Sequence, residues 1–345
     1  MGPGPKVSSK AMPTNSKELV RALFASKPVS RPPFIPYMAA AAAQFMQVPV
    51  RQMYSDPTTL ANSLQSCQRL FKYDGAVILF DTTLEAEACG CQLSWQEELP
   101  PKVVSSALTS DEDLDALDVS GIENRGRIPV VLEAARRLTQ TMGREMAMLG
   151  VITGPITLGG HLAGDAFVST AETNTQAFQK LVDLSGEIAL TMARAYGELK
   201  FDAVILADAD LASLKPEHYS KIQPMLKTLR NLLHFYDTPL IIHTGKVHVE
   251  RLHDFLQLEA DGFSLANHIS DIARLRSSSA RLFGRCIHTS SLLGSTEDVE
   301  KATLELFDIG DSSSFFITTE WEVPQTTPAV NLHKVMQVLT SAPKR

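Results

Sequence analysis

The stretch AVILFDTTLEAEACG, Ala76–Gly90, decides how the rest of the chain is read. Five apolar residues, Ala76–Phe80, run without a polar break into Asp81, and Glu85 and Glu87 follow within six residues. A short continuous apolar run marks a strand buried on both faces, as strands of parallel sheets are. A strand that ends at once in acids places carboxylates at its C-terminal end, which in a parallel barrel is the end that carries chemistry. A local role competes, because Asp is also a good cap for a helix that starts just after it. Glu85 and Glu87 lie on alternate sides if the chain stays extended, so one of them, Glu85, is taken as facing the site.

Working outward, the same pattern recurs. Candidate strands lie at Phe34–Pro36, Ala76–Phe80, Leu149–Thr153, Ala203–Leu206, Pro239–Ile242, Gly262–Leu265, Leu282–Ile287 and Phe315–Ile317. Helical spacing separates most of them. Asn15 and Glu18 have capping-box spacing, and Asp56-Pro57 is a strong helix start followed by Leu60, Leu64, Cys67 and Phe71 on one face. Further helices are expected over Pro129–Met146, Glu172–Gly197, Pro216–Phe235, Thr296–Phe307 and Pro328–Leu339. Strands alternating with helices in this way predict an α/β fold, a single-domain (β/α)8 TIM barrel, with a doubly wound sheet as the second-ranked reading. The barrel is expected over residues 16–345, behind a disordered tail at 1–15 rich in Gly, Pro, Ser and Lys. Leu99–Gly126, acidic and without period, reads as a long insertion after a strand, its charge a solvated face.

Composition excludes several classes. The chain has 345 residues, 44% of them hydrophobic, enough for a large core. A net charge of −7 without a basic stripe argues against nucleic acid. No apolar run reaches membrane-spanning length, and residues 1–15 lack the apolar core of a secretory signal. The four cysteines, Cys67, Cys89, Cys91 and Cys286, form no CxxC hook, which fits a reducing compartment, so a cytoplasmic location is expected. Gly154–His161 is no phosphate loop, since no Gly-Lys-Ser/Thr follows it.

In a barrel the polar strand ends would share one mouth: Asp81, His161, Asp208, His243, Asn267 with His268, and Glu322. Asp81 is the first candidate, as a hydrogen-bond acceptor or general base. His161, after Gly159-Gly160, is the second, able to polarise or protonate a leaving oxygen. His243 is a binding candidate ranked below His161, because alternation with Ile242 and Thr244 points it away from the mouth if the strand persists. Trp321, Tyr37 and Phe34 are candidates for an apolar wall against a planar ligand, with core packing the better reading for Phe34. His218, His234, His253 and His333 sit on helix patterns and carry no expected chemistry.

From about Glu18 to Leu339 the chain resembles the uroporphyrinogen decarboxylase superfamily, which also holds cobalamin-dependent methyltransferases. The residues that carry the resemblance are Arg31-Pro32-Pro33, Asp81 with Leu84-Glu85-Ala86-Glu87, Gly154-Pro155-Ile156-Thr157-Leu158, Ala207-Asp208, Asp261–Leu265, Glu322-Val323-Pro324 and Thr327-Pro328. The resemblance implies a (β/α)8 barrel. The decarboxylases follow the Arg-Pro-Pro with arginines that answer a tetrapyrrole's carboxylates, and they carry Tyr where His161 stands. Here Ala39–Ala43 and Gln44 occupy the arginine segment. The methyltransferase branch fits Glu85-Ala86-Glu87 and Gly154–Leu162 better. Its zinc-dependent members use a His-x-Cys and a later Cys, and those positions here hold Ile242, Thr244 and Trp321, so no metal is expected. The function implied is methyl transfer between a small substrate, such as a methoxylated aromatic undergoing O-demethylation, and a corrinoid protein. The chain has no Asp-x-His-x-x-Gly, so the corrinoid (cobalamin) is expected from a partner. The alternatives are a decarboxylase acting on a smaller acid and a non-catalytic ligand-binding barrel.

Overall fold

The continuous apolar runs become parallel strands. The computed structural model describes residues 15–267, 282–307 and 315–341; the tail before Asn15 and His268 lie outside the described residues. In chain order the strands are β1 (Gly75–Val77), β2 (Gln92–Ser94), β3 (Lys102–Ser105), β4 (Ala147–Thr153), β5 (Ala203–Ala207), β6 (Leu240–Thr244), β7 (Gly262–Leu265), β8 (Leu282–Ile287) and β9 (Phe315–Thr319). Seven of them pair in parallel in the order β1-β4-β5-β6-β7-β8-β9. Every residue of β4, β5, β6, β7 and β9 is buried, as expected where helices cover one face and the barrel interior fills the other.

The eighth expected strand, Phe34–Pro36, is reduced to one bridge, Phe34 to Ile317. Its neighbours explain why. Pro32, Pro33 and Pro36 have no N–H, so this segment cannot donate along a full ladder. It still closes the barrel. Ile35 N donates to the Ile317 carbonyl and Ile317 N to the Pro33 carbonyl, both at 2.8 Å, while Asp74 N donates to the Phe34 carbonyl at 2.8 Å. The (β/α)8 barrel therefore consists of seven ladder strands and one proline-limited segment between β9 and β1. Arg31 secures that segment from outside, through two bonds to the fully buried Asp74 at 2.6 and 2.8 Å, and Asp74 also accepts Phe34 N at 2.9 Å.

Helix starts follow the local signals. Asn15 accepts Glu18 N at 2.9 Å, and Asp56 accepts Thr59 N at 2.7 Å ahead of the helix Pro57–Phe71. The long helix expected over Glu172–Gly197 is two, Phe167–Thr173 and Thr175–Glu198. Asn174 separates them, its side chain accepting Ala177 N at 3.2 Å as the cap of the second. The insertion after β1 is more ordered than its composition suggests. β2 and β3 form an antiparallel hairpin, and Ser110 with Asp113 makes a capping box for the helix Asp111–Ala116. Among the described residues no helix is long and apolar enough to cross a membrane.

Candidate active site

The C-terminal ends of β1 and β9 lie on either side of the proline-limited segment, and a cleft of about 390 Å³ opens beside them. Its walls include Phe80–Thr83 after β1, Trp321–Gln325 after β9 and Leu99–Lys102 from the β2–β3 hairpin. Three of the expected site residues, Asp81, Trp321 and Glu322, thus meet in one cleft.

Asp81 combines the two roles its sequence position offered. Its Oδ1 accepts Thr83 N at 2.9 Å and Thr83 Oγ1 at 2.7 Å, a turn that leads into the helix Leu84–Ala88. Its Oδ2 accepts Arg127 Nη1 at 2.6 Å. Arg127 is 5% exposed and also donates to Glu87 at 2.7 Å and to Thr83 Oγ1 at 3.1 Å. Its guanidinium lies 5.0 Å from the Trp95 ring centroid and 5.9 Å from that of Tyr54. Although burial alone would lower its pKa, Asp81 and Glu87 raise it, so the guanidinium stays charged. Asp81 is therefore a firmly held acceptor with room for one more hydrogen bond.

Glu322 is half-buried. Its one hydrogen bond is a long one from Ala40 N, 3.5 Å. Enclosure by protein, and then the charge of Asp81, push its carboxyl up to about 8. Glu85 is buried behind the cleft, accepting Thr153 Oγ1 at 2.5 Å and Thr153 N at 3.2 Å. Burial raises it to about 7 against the pull of those bonds. It ties the helix Leu84–Ala88 to the end of β4 and does not border the cleft.

His161 sits on the helix Pro155–Ala163 and is half-buried. Burial lowers its pKa, while Asp210 and Asp81 pull it back, and its Nε2 has no partner among the described residues. Asp208 is not brought to the cleft. It accepts Ile156 N at 3.0 Å and Thr157 N and Oγ1 at 2.9 Å, closing the start of that same helix. Gly154 permits this approach, since a Cβ there would lie 2.3 Å from Asp208 Cβ. Asn267 is structural as well: its amide exchanges bonds of 2.9 and 2.7 Å with the Val247 backbone. It borders a second cavity of about 850 Å³ with Lys246, His288 and Glu320.

The expectation that His243 points outward is corrected. β6 places its ring in the barrel interior, fully buried, with Nδ1 3.0 Å from Ser264 Oγ and 3.3 Å from the Tyr37 hydroxyl. The strand stays regular to Thr244, and it is Thr244 and Ile242 whose registers alternate with it. Burial pushes His243 down to about 3, so the ring is neutral. Its Nε2 has no hydrogen-bond partner among the described residues. Tyr37 stacks on Phe80 with centroids 4.5 Å apart, and Phe80 meets Trp321 at 4.8 Å and 87°. Tyr37 thus stands behind the cleft wall and Trp321 in it, while Phe34 is core.

Arg127 and Phe80 were not legible as site residues. Phe80 had one signal, its place immediately before Asp81. Arg127 had none, because its partner lies 46 residues back across the insertion. The one described group of three potential metal ligands, Glu172, Glu217 and His218, is at the surface, where Lys215 already pairs with Glu172 at 2.6 Å.

A family model described as uroporphyrinogen decarboxylase (URO-D) matches residues 15–341. Methylcobamide:CoM methyltransferase MtbA of Methanosarcina acetivorans is 23% identical over 333 residues, covering 94% of this chain and 97% of that protein. Methylcobamide:CoM methyltransferase MtaA of Methanosarcina barkeri is 25% identical over 259 residues, 73% of this chain and 75% of the relative. Among solved structures, a methyltransferase from Methanosarcina mazei superposes with a TM-score of 0.83 at 18% identity, covering 94% of this chain and 98% of its own. A B12-independent methionine synthase from Shewanella sp. W3-18-1 reaches 0.52 at 11% identity, over 82% and 88% of the two chains, which speaks for the barrel alone.

Proposed function

The chain belongs to the uroporphyrinogen decarboxylase family, and we propose that within it the chain is a methyltransferase. It moves a methyl group between a small substrate at the barrel mouth and a corrinoid carried by a separate protein. Relatives matched over 94% and 73% of the chain are methylcobamide:CoM methyltransferases, which supports the reaction class. The observation that carries the reading is the cleft's charge. Arg127 is bound to Asp81 and Glu87, and Lys102 is the one cation among the described lining residues. A polycarboxylate would meet acids there rather than arginines, which disfavours decarboxylation of such a substrate.

The residues divide the work by position. Phe80 and Trp321 exclude water from the substrate, with Tyr37 bracing Phe80. Asp81, held by Arg127 and Thr83, presents a fixed acceptor. His161 does not border the cleft but is close enough to Asp81 and Asp210 to feel both charges, and burial keeps it toward the neutral form, so it serves as a hydrogen-bonding ring behind the mouth. Zinc at the ligand positions that the family resemblance implies does not fit this donor set. Thr244 Oγ1 donates to the Asp208 carbonyl at 2.6 Å, Trp321 is a ring in the wall, and Ile242 has no donor atom.

The test is methyl exchange with free corrinoid. The protein is expected to methylate cob(I)alamin from a suitable donor, or to demethylate methylcob(III)alamin with an acceptor, read by the corrinoid's visible absorbance. Silence in both directions from folded protein overturns the reading, and coproporphyrinogen formation from uroporphyrinogen would replace it with decarboxylation.

A further inference from the structure

The cleft's own chemistry narrows what it takes. Trp321 borders it as a half-buried ring, backed by neutral His243 at 5.0 Å and met edge-on at 4.8 Å by Phe80, which is itself 1% exposed and stacked on Tyr37 at 4.5 Å. The titratable groups among the described lining residues are two acids, Asp81 and Glu322, and one cation, Lys102, whose side chain is exposed at the rim on β3. The nearest buried cation, Arg127, has its charge bound by two carboxylates. Glu322 has no cationic partner among the described residues. Aromatic faces attract cations through their quadrupoles, and quaternary ammonium groups in particular are recognised by aromatic rings. A neutral methyl ether would gain only apolar burial from this arrangement, and an anion would be repelled by it.

We propose that the cleft binds a methylated cation, an ammonium or sulfonium group, seated against the Trp321 ring, with Glu322 giving up its proton on binding to become its counter-ion. This rests on the methyltransferase reading and deepens it by naming the substrate class. Such a cation is an activated methyl donor. The C–N or C–S bond breaks with its electron pair left on nitrogen or sulfur, which departs as a neutral amine or thioether. The methyl carbon bonds to the cob(I)amide supplied by the partner, which provides the electron pair and is oxidised to the methylcob(III)amide. Gln325 Nε2, buried at the cleft without a partner among the described residues, is available to donate to an acceptor elsewhere on the ligand.

Two measurements test the proposal. In calorimetric titrations, choline is expected to bind at least about tenfold tighter than its neutral isostere 3,3-dimethylbutan-1-ol. Trp321→Leu should lose about tenfold in choline affinity, and Trp321→Phe should retain most of it, because Phe keeps a ring face. Circular dichroism confirms that each variant is folded, and Glu322→Gln provides a second, milder probe with the same expected direction. Equal binding of choline and the isostere, or tighter binding of anisole, overturns the proposal. Methyl transfer to cob(I)alamin then separates the two claims. Transfer from tetramethylammonium or trimethylsulfonium supports the cation site and tells ammonium from sulfonium. Transfer from anisole or dimethyl sulfide alone overturns the cation site while the methyltransferase reading stands. Choline binding without transfer from any of these donors supports the cation site and removes the methyltransferase reading.

Discussion

Asp81 shows how much one residue's meaning depends on a partner far away in the chain. Its acceptor role in a turn was legible, because Thr83 is two residues on. Its ion pair with Arg127 was not, because nothing local requires a cation there. Replacing Asp81 by Ala leaves Arg127 buried with Glu87 alone, and the expected loss in stability is about 3 kcal/mol by denaturant titration. Asp81→Asn keeps an acceptor for Thr83 and should lose less. The acids of the mouth set a pH dependence. Free glutamate titrates near 4.5, whereas Glu85 and Glu322 titrate at about 7 and about 8 in the folded chain. The folded state therefore binds more protons than the unfolded one between those values, and stability falls as pH rises through them. Their contribution is fully present below about pH 4.5 and lost above about pH 8. Melting temperatures from pH 5 to 9 should decline toward the alkaline end, and Glu322→Gln should flatten the decline around pH 8.

At the scale of elements, local signals served well where the physics is local. The caps at Asn15 and Asp56 were readable because capping involves residues within three positions. The first strand was overread, because apolar content was weighed and missing N–H donors were not. That segment is held by Asp74, so Asp74→Ala should weaken barrel closure as well as leave Arg31 unpaired. The expected cost is about 3 kcal/mol, with faster amide exchange at Ile35 and Ile317 as its signature. Gly154→Ala should force Asp208 off the helix start and cost about 1–3 kcal/mol by the same denaturant measurement. Asp208 itself was misplaced as a site residue, since an acid after a strand serves equally to hold the next helix's N–H groups.

For the molecule as a whole, closure joins the two ends of the chain: residues 33–37 bond to β9. A chain cut after residue 307 loses β9 and the helix Ala329–Ser341, and is expected to lose cooperative melting altogether. The sequence by itself determined the barrel, because period and strand order are set by local patterning, and right-handed crossover between parallel strands leaves few other ways to pack them. It also determined that Asp81, Trp321 and Glu322 stand at strand ends. Only the tertiary structure decided which polar residues face the cleft and which are bound inward, and that Arg127 is committed to carboxylates rather than free for a substrate. The physical reason is that charge and hydrogen-bond partners are chosen by distance in space. Closing the barrel brings residues 37, 81, 127, 243 and 321 around one mouth, although no periodicity in the chain relates them.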